Sequence, residues 1–258
     1  MHIETHGHGP SIALIHGWAM HGGLFAPLVE RLRDRFRLHL VDLPGHGHAR
    51  DSDRPLDPAA LSRELADAVP DAVWLGWSLG GQFALRIALD APERVRGLVM
   101  VASSPRFVQG GDWPHGVRPS LFRDFGEALS KDFRATLDGF LALEALGSAS
   151  AQAELRELRA QAFARGEPAP QALLRGLELL DAVDLRGELP ALAVPSLWIS
   201  GRRDRLVPAG AMPAAAALAP QAESLVVHDA GHAPFLGAAD AVAAAIGAFA
   251  RRAHAVEA

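Results

Sequence analysis

Three residues of this chain, each placed just past an apolar run, have the types and spacing to do chemistry. Ser78 stands in Gly76-Trp77-Ser78-Leu79-Gly80, directly after Ala72-Val73-Trp74-Leu75. A serine at a sharp strand-to-helix junction projects its hydroxyl above the edge of a sheet, and the residues two places away must carry no side chain that collides. Gly76 and Gly80 fill those places, and Gly81 adds clearance. A serine hydroxyl is a weak nucleophile near neutral pH, so it needs a histidine to take its proton and a carboxylate to orient that histidine. Asp204, in Ser200-Gly201-Arg202-Arg203-Asp204, follows the apolar run from Ser196 to Ser200. His232, in Asp229-Ala230-Gly231-His232, follows the run from Ser224 to Val227, with Asp229 as the competing carboxylate. Taken singly, Asp204 reads as a surface loop carboxylate and His232 as a solvated turn histidine. Taken together, in the order serine, acid, histidine, they predict a triad for acyl transfer.

Acyl transfer also needs donors for the negative charge that develops on the carbonyl oxygen. Ile12 to Ile15 reads as a buried strand running into His16-Gly17-Trp18, where the glycine lets the backbone turn its amides toward the serine. The backbone N–H groups of Trp18 and Leu79 are therefore the expected oxyanion hole. The plainer reading of Trp18, an aromatic covering the core, is compatible with its ring walling an acyl pocket.

Elements that position these residues follow from the pattern of apolar runs. Strand candidates at Ser11 to Ile15, Arg37 to Val41, Ala72 to Gly76, Gly97 to Ala102, Ser196 to Ser200 and Ser224 to Val227 alternate with helical patterns. That alternation predicts an α/β fold with a mainly parallel sheet flanked by helices. Asp57-Pro58 is an N-cap followed by proline at the first helical position, opening a helix to about Val69. Gly80 to Asp90 is the expected helix behind the serine, and Ala239 to Arg252 the expected closing helix.

Between about Ser104 and Pro190 the strand rhythm stops and helical spacing takes over. Phe133, Leu137, Phe140 and Leu141 form one apolar stripe there. The expected organisation is thus a body of residues 1–103 and 191–258 with a helical lid insertion of residues 104–190 over the serine. Most of the stripe packs lid onto body, while Phe140, Leu143 and Glu144 are the candidates for facing the pocket.

Composition narrows the function classes. The chain has 258 residues, 49% of them hydrophobic, enough for one large domain with an insertion. It has no cysteine, which excludes disulfides and thiol chemistry. A net charge of −5 argues against broad nucleic-acid affinity. No apolar run approaches the roughly 20 residues of a membrane span, and the amino terminus lacks the basic and apolar regions of a secretion signal. A cytoplasmic protein with no membrane partner, and a monomer, is the expectation.

Across its whole length the chain resembles the α/β-hydrolases and, more narrowly, the family of pimeloyl-acyl-carrier-protein methyl ester esterases of biotin synthesis. The resemblance is carried by His16-Gly17-Trp18, Leu38-His39-Leu40-Val41-Asp42-Leu43-Pro44-Gly45, Trp74 to Gly81 and Val101-Ala102-Ser103-Ser104-Pro105. Phe140-Leu141-Ala142-Leu143, Gly176-Leu177-Glu178, Val183-Asp184-Leu185-Arg186 and His232-Ala233-Pro234-Phe235 extend it through the insertion and the carboxyl-terminal part. The serine turn of Gly76 to Gly80, a nucleophile elbow, identifies only the superfamily on its own; agreement in the lid supports the narrower assignment.

The resemblance implies hydrolysis of the methyl ester at the far end of a pimeloyl chain held as a thioester on acyl carrier protein. It implies no metal and no organic cofactor. The acyl chain would meet Trp18, Ser78, Leu79 and His232 in the body and Phe140, Leu141, Ala142, Leu143 and Glu144 in the lid. The acidic carrier would be received by lid arginines, for which Arg134, Arg156 and Arg159 are the candidates. Here the chain departs from the family, because Ala135 and Gly139 occupy lid positions where basic residues are expected. Residues 104–190 hold ten Lys or Arg against thirteen Asp or Glu, so carrier binding would depend on a local patch.

Fold and elbow do not choose the acyl group, so a broader carboxylesterase, a lactonase or a carbon–carbon hydrolase uses the same triad equally well. A dehalogenase is disfavoured, since its elbow carries aspartate where Ser78 stands. A binding protein that has lost catalysis usually lacks triad members, and all three are present here. The pairs His6/His8 and His46/His48 have spacing that suits chelation, but neither adjoins a cysteine or a clear acidic cluster. They read as loop residues, His46-Gly47-His48 shaping the turn after Asp42.

Overall fold

The computed structural model describes residues 1–255. Its centre is a seven-stranded sheet in the order β1-β3-β2-β4-β5-β6-β7. The strands are β1 (His2–Gly7), β2 (Ser11–Ile15), β3 (Arg37–Asp42), β4 (Ala72–Trp77), β5 (Val95–Val101), β6 (Ser196–Gly201) and β7 (Ala222–Val227). All neighbours are parallel except β1, which pairs antiparallel with β3 from His2 opposite Asp42 to Gly7 opposite Arg37. The expected mainly parallel α/β sheet is the observed one. Each predicted strand is present within two residues of its expected limits.

Every residue of β2, β4 and β6 is buried, as expected of parallel strands covered on both faces, which read as near-continuous apolar runs. β1 is the strand that sequence reasoning missed. Its sequence HIETHG lies half-exposed at the sheet edge, so it carries no apolar run to read.

Flanking the sheet are α1 (Ala26–Leu32), α2 (Pro58–Ala68) and α3 (Leu79–Asp90), with α8 (Ala211–Ala216), α9 (Pro234–Gly237) and α10 (Ala239–Ala255) nearer the carboxyl terminus. α2 packs on α3, and α1 packs on α10. The Asp57 side chain caps α2 by accepting the N–H groups of Ala59 and Ala60, and Pro58 occupies the first turn. Between β5 and β6 the chain forms α4 (Leu121–Leu129), α5 (Phe133–Ala145), α6 (Ala151–Ala162) and α7 (Pro170–Ala182), which pack on one another. α7 also touches α3, the helix that begins immediately after Ser78. The last three residues of the expected closing segment 191–258 lie outside the described residues.

Arg165 and Ala169 tie the inserted helices to the body around β1 and β3. Arg165, between α6 and α7, donates to the buried carboxylate of Asp42 at 3.1 Å and to Glu4 at 2.6 Å. Ala169 N–H donates to Gly45 C=O at 2.8 Å. Asp42 also accepts the N–H groups of Gly22 and His48. Its burial opposes ionisation, but nearby His16, those amides and Arg165 outweigh it and hold the pKa below the usual carboxylate range. Among the described residues no helix is long and apolar enough to cross a membrane.

Candidate active site

Ser78 lies between the last residue of β4 and the first of α3, with φ 53° and ψ −123°. A non-glycine residue rarely adopts this backbone, and it persists only where its surroundings over-determine it. Here Ser78 N–H donates to Val101 C=O at 3.0 Å, and Ser78 C=O accepts from Gly81 N–H at 2.9 Å and Ser103 Oγ at 2.7 Å. The turn is so tight that a Cβ on Gly76 would stand 2.3 Å from Gly80 O, and one on Gly80 would stand 2.2 Å from Ile15 O. These two glycines are therefore steric requirements of the turn.

The loop after β6 brings Asp204 to the same edge. Its Oδ1 accepts the N–H groups of Leu206 and Val207 at 2.8 and 2.9 Å, which fixes the carboxylate plane. That leaves Oδ2 for the imidazole of His232, whose Nδ1 lies 2.8 Å away. His232, in the loop after β7, places Nε2 2.8 Å from Ser78 Oγ. The consistent tautomer has Nδ1–H donating to Asp204 and Nε2 accepting from the serine O–H. Burial disfavours the imidazolium, but the charge and hydrogen bond of Asp204 overcome it and raise the His232 pKa above its ordinary value. Asp229, the competing carboxylate, is exposed and pairs with Arg203 at 2.7 Å. Ser78, Asp204 and His232 thus form one continuous, buried hydrogen-bonded chain.

The His16-Gly17-Trp18 loop passes close over the serine. A Cβ on Gly17 would meet the Trp77 ring at 2.9 Å and Ser78 Cβ at 3.1 Å. His16 is buried with both ring nitrogens engaged, Nδ1 donating to Gly17 C=O and Nε2 accepting from Leu43 N–H. Burial, together with neighbouring His46, lowers its pKa to about 3, so it is a neutral brace for the loop. The Trp18 ring is fully buried, donates Nε1–H to Leu173 C=O at 2.8 Å and packs on Phe140 at 4.4 Å between centroids. It joins the His16-Gly17-Trp18 loop to α5 and α7 of the insertion.

α5 delivers the other pocket candidates unevenly. Phe140, Leu141 and Glu144 are buried, whereas Ala142 and Leu143 are half-buried one face further round. Phe140 is held between Trp18 and Phe125. Glu144 accepts the His232 backbone N–H through its own carbonyl at 3.3 Å. Its carboxyl group is fully buried and raised to about 8, by burial first and then by the charge of Asp204, with His232 opposing.

The three candidate arginines of the inserted helices are not equivalent. Arg134 pairs with Glu167 and lies over the Phe163 ring. Arg159 makes a two-pronged pair with Asp138 at 2.5 and 2.7 Å. Arg156 is exposed and makes no ion pair with any described residue. Among the described residues no group of three or more His, Asp or Glu is gathered to hold a metal ion. His46 is buried and bonded to Pro44 C=O, and His6 pairs with Glu4.

Two supporting residues escaped sequence reasoning as individuals. Ser103 anchors the Ser78 carbonyl, and Trp77 donates Nε1–H to the His232 carbonyl at 2.8 Å. Both lie inside runs already singled out, the serine elbow and the Val101-to-Pro105 segment, but nothing in their types announces these bonds.

With the geometry in place, comparison with known proteins adds the family. Residues 10–239 match the alpha/beta hydrolase fold family. A pimeloyl-[acyl-carrier protein] methyl ester esterase from Xanthomonas oryzae pv. oryzae is 60% identical over 249 residues, covering 96% of this chain and 98% of the relative. The protein of the same name from Stenotrophomonas maltophilia is 58% identical over 246 residues, covering 95% of each chain. Among solved structures, an esterase from Exiguobacterium antarcticum superposes with a TM-score of 0.84 at 22% identity, covering 96% of this chain and 94% of that one. The last likeness speaks to the fold alone.

Proposed function

From a chain that belongs to the α/β-hydrolase family, and within it to the pimeloyl-[acyl-carrier protein] methyl ester esterases, we propose a serine esterase that removes the terminal methyl group of a pimeloyl chain carried on acyl carrier protein. Products are methanol and the carrier-bound free acid. The observation that carries the chemistry is the buried chain from Ser78 Oγ through His232 to Asp204, with both links at 2.8 Å.

Ser78 Oγ attacks the ester carbonyl carbon while its proton moves to His232 Nε2. Asp204 holds the imidazole in the accepting tautomer and stabilises the imidazolium, consistent with the raised His232 pKa. The carbonyl oxygen becomes an oxyanion facing the N–H groups of Leu79, at the start of α3, and Trp18. Collapse breaks the bond to methoxide, which takes the proton back from His232 and leaves as methanol. Water then loses a proton to His232 and attacks the acyl-serine. The second collapse returns that proton to Ser78 Oγ and frees the carboxylic acid. No step calls for a metal or organic cofactor.

Selectivity is the harder part, because the thioester at the other end of the chain is the better acyl donor. Position can decide against reactivity, since holding reacting groups in an attack geometry is worth up to roughly 7–11 kcal/mol. On this reading residues 104–190 act as a lid under which the acyl chain threads past Phe140 to Ser78. The thioester and the carrier stay outside, with the carrier's acidic surface at Arg156. The enzyme then works as a monomer in the cytoplasm beside its carrier.

Neutralisation of Arg134 by Glu167 and of Arg159 by Asp138 favours a second reading, an esterase for small free esters with no carrier contact. Incubation with methyl-pimeloyl carrier protein, followed by intact mass measurement, separates the two. The proposal predicts loss of methyl with the thioester retained. Thioester cleavage at a comparable rate, or turnover of small esters only, leaves a general acyl hydrolase.

A further inference from the structure

Glu144 stands in the last turn of α5, where the insertion meets the loop that carries His232. Its carbonyl accepts the His232 N–H at 3.3 Å, so this turn touches the backbone of the histidine itself. Its side chain is fully buried, yet neither carboxyl oxygen has a hydrogen-bond partner among the described residues. The contrast with Asp204 is close at hand. That carboxylate, equally hidden, receives two amide N–H groups and the imidazole. A partnerless carboxylate in such surroundings is far costlier than the neutral acid of the same shape. The titratable groups acting on Glu144 are His232, from the loop after β7, and Asp204, from the loop after β6. One favours its charge and the other opposes it.

We propose that Glu144 is a positioning residue for His232 that works as the uncharged acid. With its proton in place the last turn of α5 seats on the His232 backbone; without it the buried anion drives that turn toward water and releases the histidine. The inference rests on the catalytic reading of His232. It adds that seating of the insertion over the triad takes up a proton.

Direction in pH follows from the burial. A glutamate freed into water ionises near 4.5, whereas in the seated turn its pKa is raised to about 8. Seating is therefore unopposed below about 4.5 and is weakened as pH rises toward about 8. His232 imposes the opposite limit, since it must be unprotonated to act as a base and its pKa is raised above 6.5. The two groups bound an active window from opposite sides.

The test uses the Glu144→Gln protein, which keeps the shape and has no proton to lose, with Glu144→Asp as the variant that keeps an ionisable group. Two readouts are followed from pH 5 to 9: turnover of a small ester, and hydrogen exchange of α5 amides corrected for the intrinsic rate. In the wild type, α5 protection and turnover both fall on the alkaline side, and Glu144→Asp keeps that fall. Glu144→Gln abolishes it, giving about a tenfold advantage in turnover over the wild type one pH unit above the glutamate pKa. A wild type whose α5 protection does not change with pH, or a Glu144→Gln protein with the wild-type alkaline fall, overturns the proposal. Exchange is also measured in Ser78→Ala. Its protection must fall with pH as in the wild type if Glu144 is responsible, whereas full esterase activity in that variant refutes the serine mechanism instead.

Discussion

At the carboxyl ends of the strands, the polar groups around Ser78 are held by backbone. Ser78 makes bonds to Val101, Gly81 and Ser103, and Asp204 is pinned by two amides before it meets His232. In the helices between β5 and β6 the polar groups are held by one another. Arg134 with Glu167 and Arg159 with Asp138 are exposed pairs, and Glu144 is buried with an unpaired carboxyl. Backbone-held groups keep their geometry at no entropic cost per turnover, while exposed ion pairs contribute about 0–1 kcal/mol and rearrange readily. On the proposed reading the sheet edge carries the bond-breaking apparatus and the insertion carries substrate selection, the two meeting where the last turn of α5 touches the His232 backbone.

That division is broken most severely by removing the nucleophile. Ser78→Ala is expected to abolish ester turnover, with a loss on the order of 10⁶-fold by analogy with serine proteases. Its thermal unfolding should stay close to that of the wild type, because alanine loses one hydroxyl and keeps the backbone bonds. Substantial residual turnover would assign the chemistry elsewhere.

Asp204→Asn should come next, with a loss of about 10⁴-fold from the wrong imidazole tautomer. The residual activity carries a second signature. Asp204 is the charge that raises the His232 pKa, so its loss should move the acid limb of the pH–rate profile to lower pH. Asp229→Asn, at an exposed carboxylate paired with Arg203, should leave rate and profile near those of the wild type. An exchange of these two outcomes would mean that the acid has been misassigned.

How much of this was legible in the sequence depends on what kind of force places each residue. The serine turn was legible because a steric rule demands glycine at positions 76 and 80, where a Cβ would stand 2.3 and 2.2 Å from a backbone oxygen. Parallel strands were legible because burial on both faces leaves continuous apolar runs, while the half-exposed β1 left none. Order along the chain does not choose between Asp204 and Asp229, since both follow strands and both precede His232. Only the loop geometry shows one carboxylate under the imidazole and the other facing Arg203. The α5 stripe was visible at helical spacing, and Phe140 and Leu141 are buried. Pairing of Arg159 with Asp138 depends on how α6 lies against α5, and no local signal encodes that.

A smaller effect is expected from the exposed charges of the insertion. Replacing both Arg156 and Arg159 by glutamate should raise KM for methyl-pimeloyl carrier protein by about tenfold, with kcat and the turnover of a p-nitrophenyl ester nearly unchanged. Because Arg159 is already neutralised by Asp138, Arg156→Glu alone should account for most of the change. Equal losses on both substrates would indicate damage to the insertion, and no loss on the carrier substrate would remove this face from docking.

The role of Ser78 as the nucleophile is tested most directly by covalent labelling. Treatment with a serine-reactive fluorophosphonate, followed by peptide mass mapping, should give one adduct per chain, on Ser78, formed in step with loss of esterase activity. Labelling should be slowed by orders of magnitude in His232→Ala. Turnover that survives full labelling of Ser78, or an adduct on another serine that tracks the loss of activity, would contradict it.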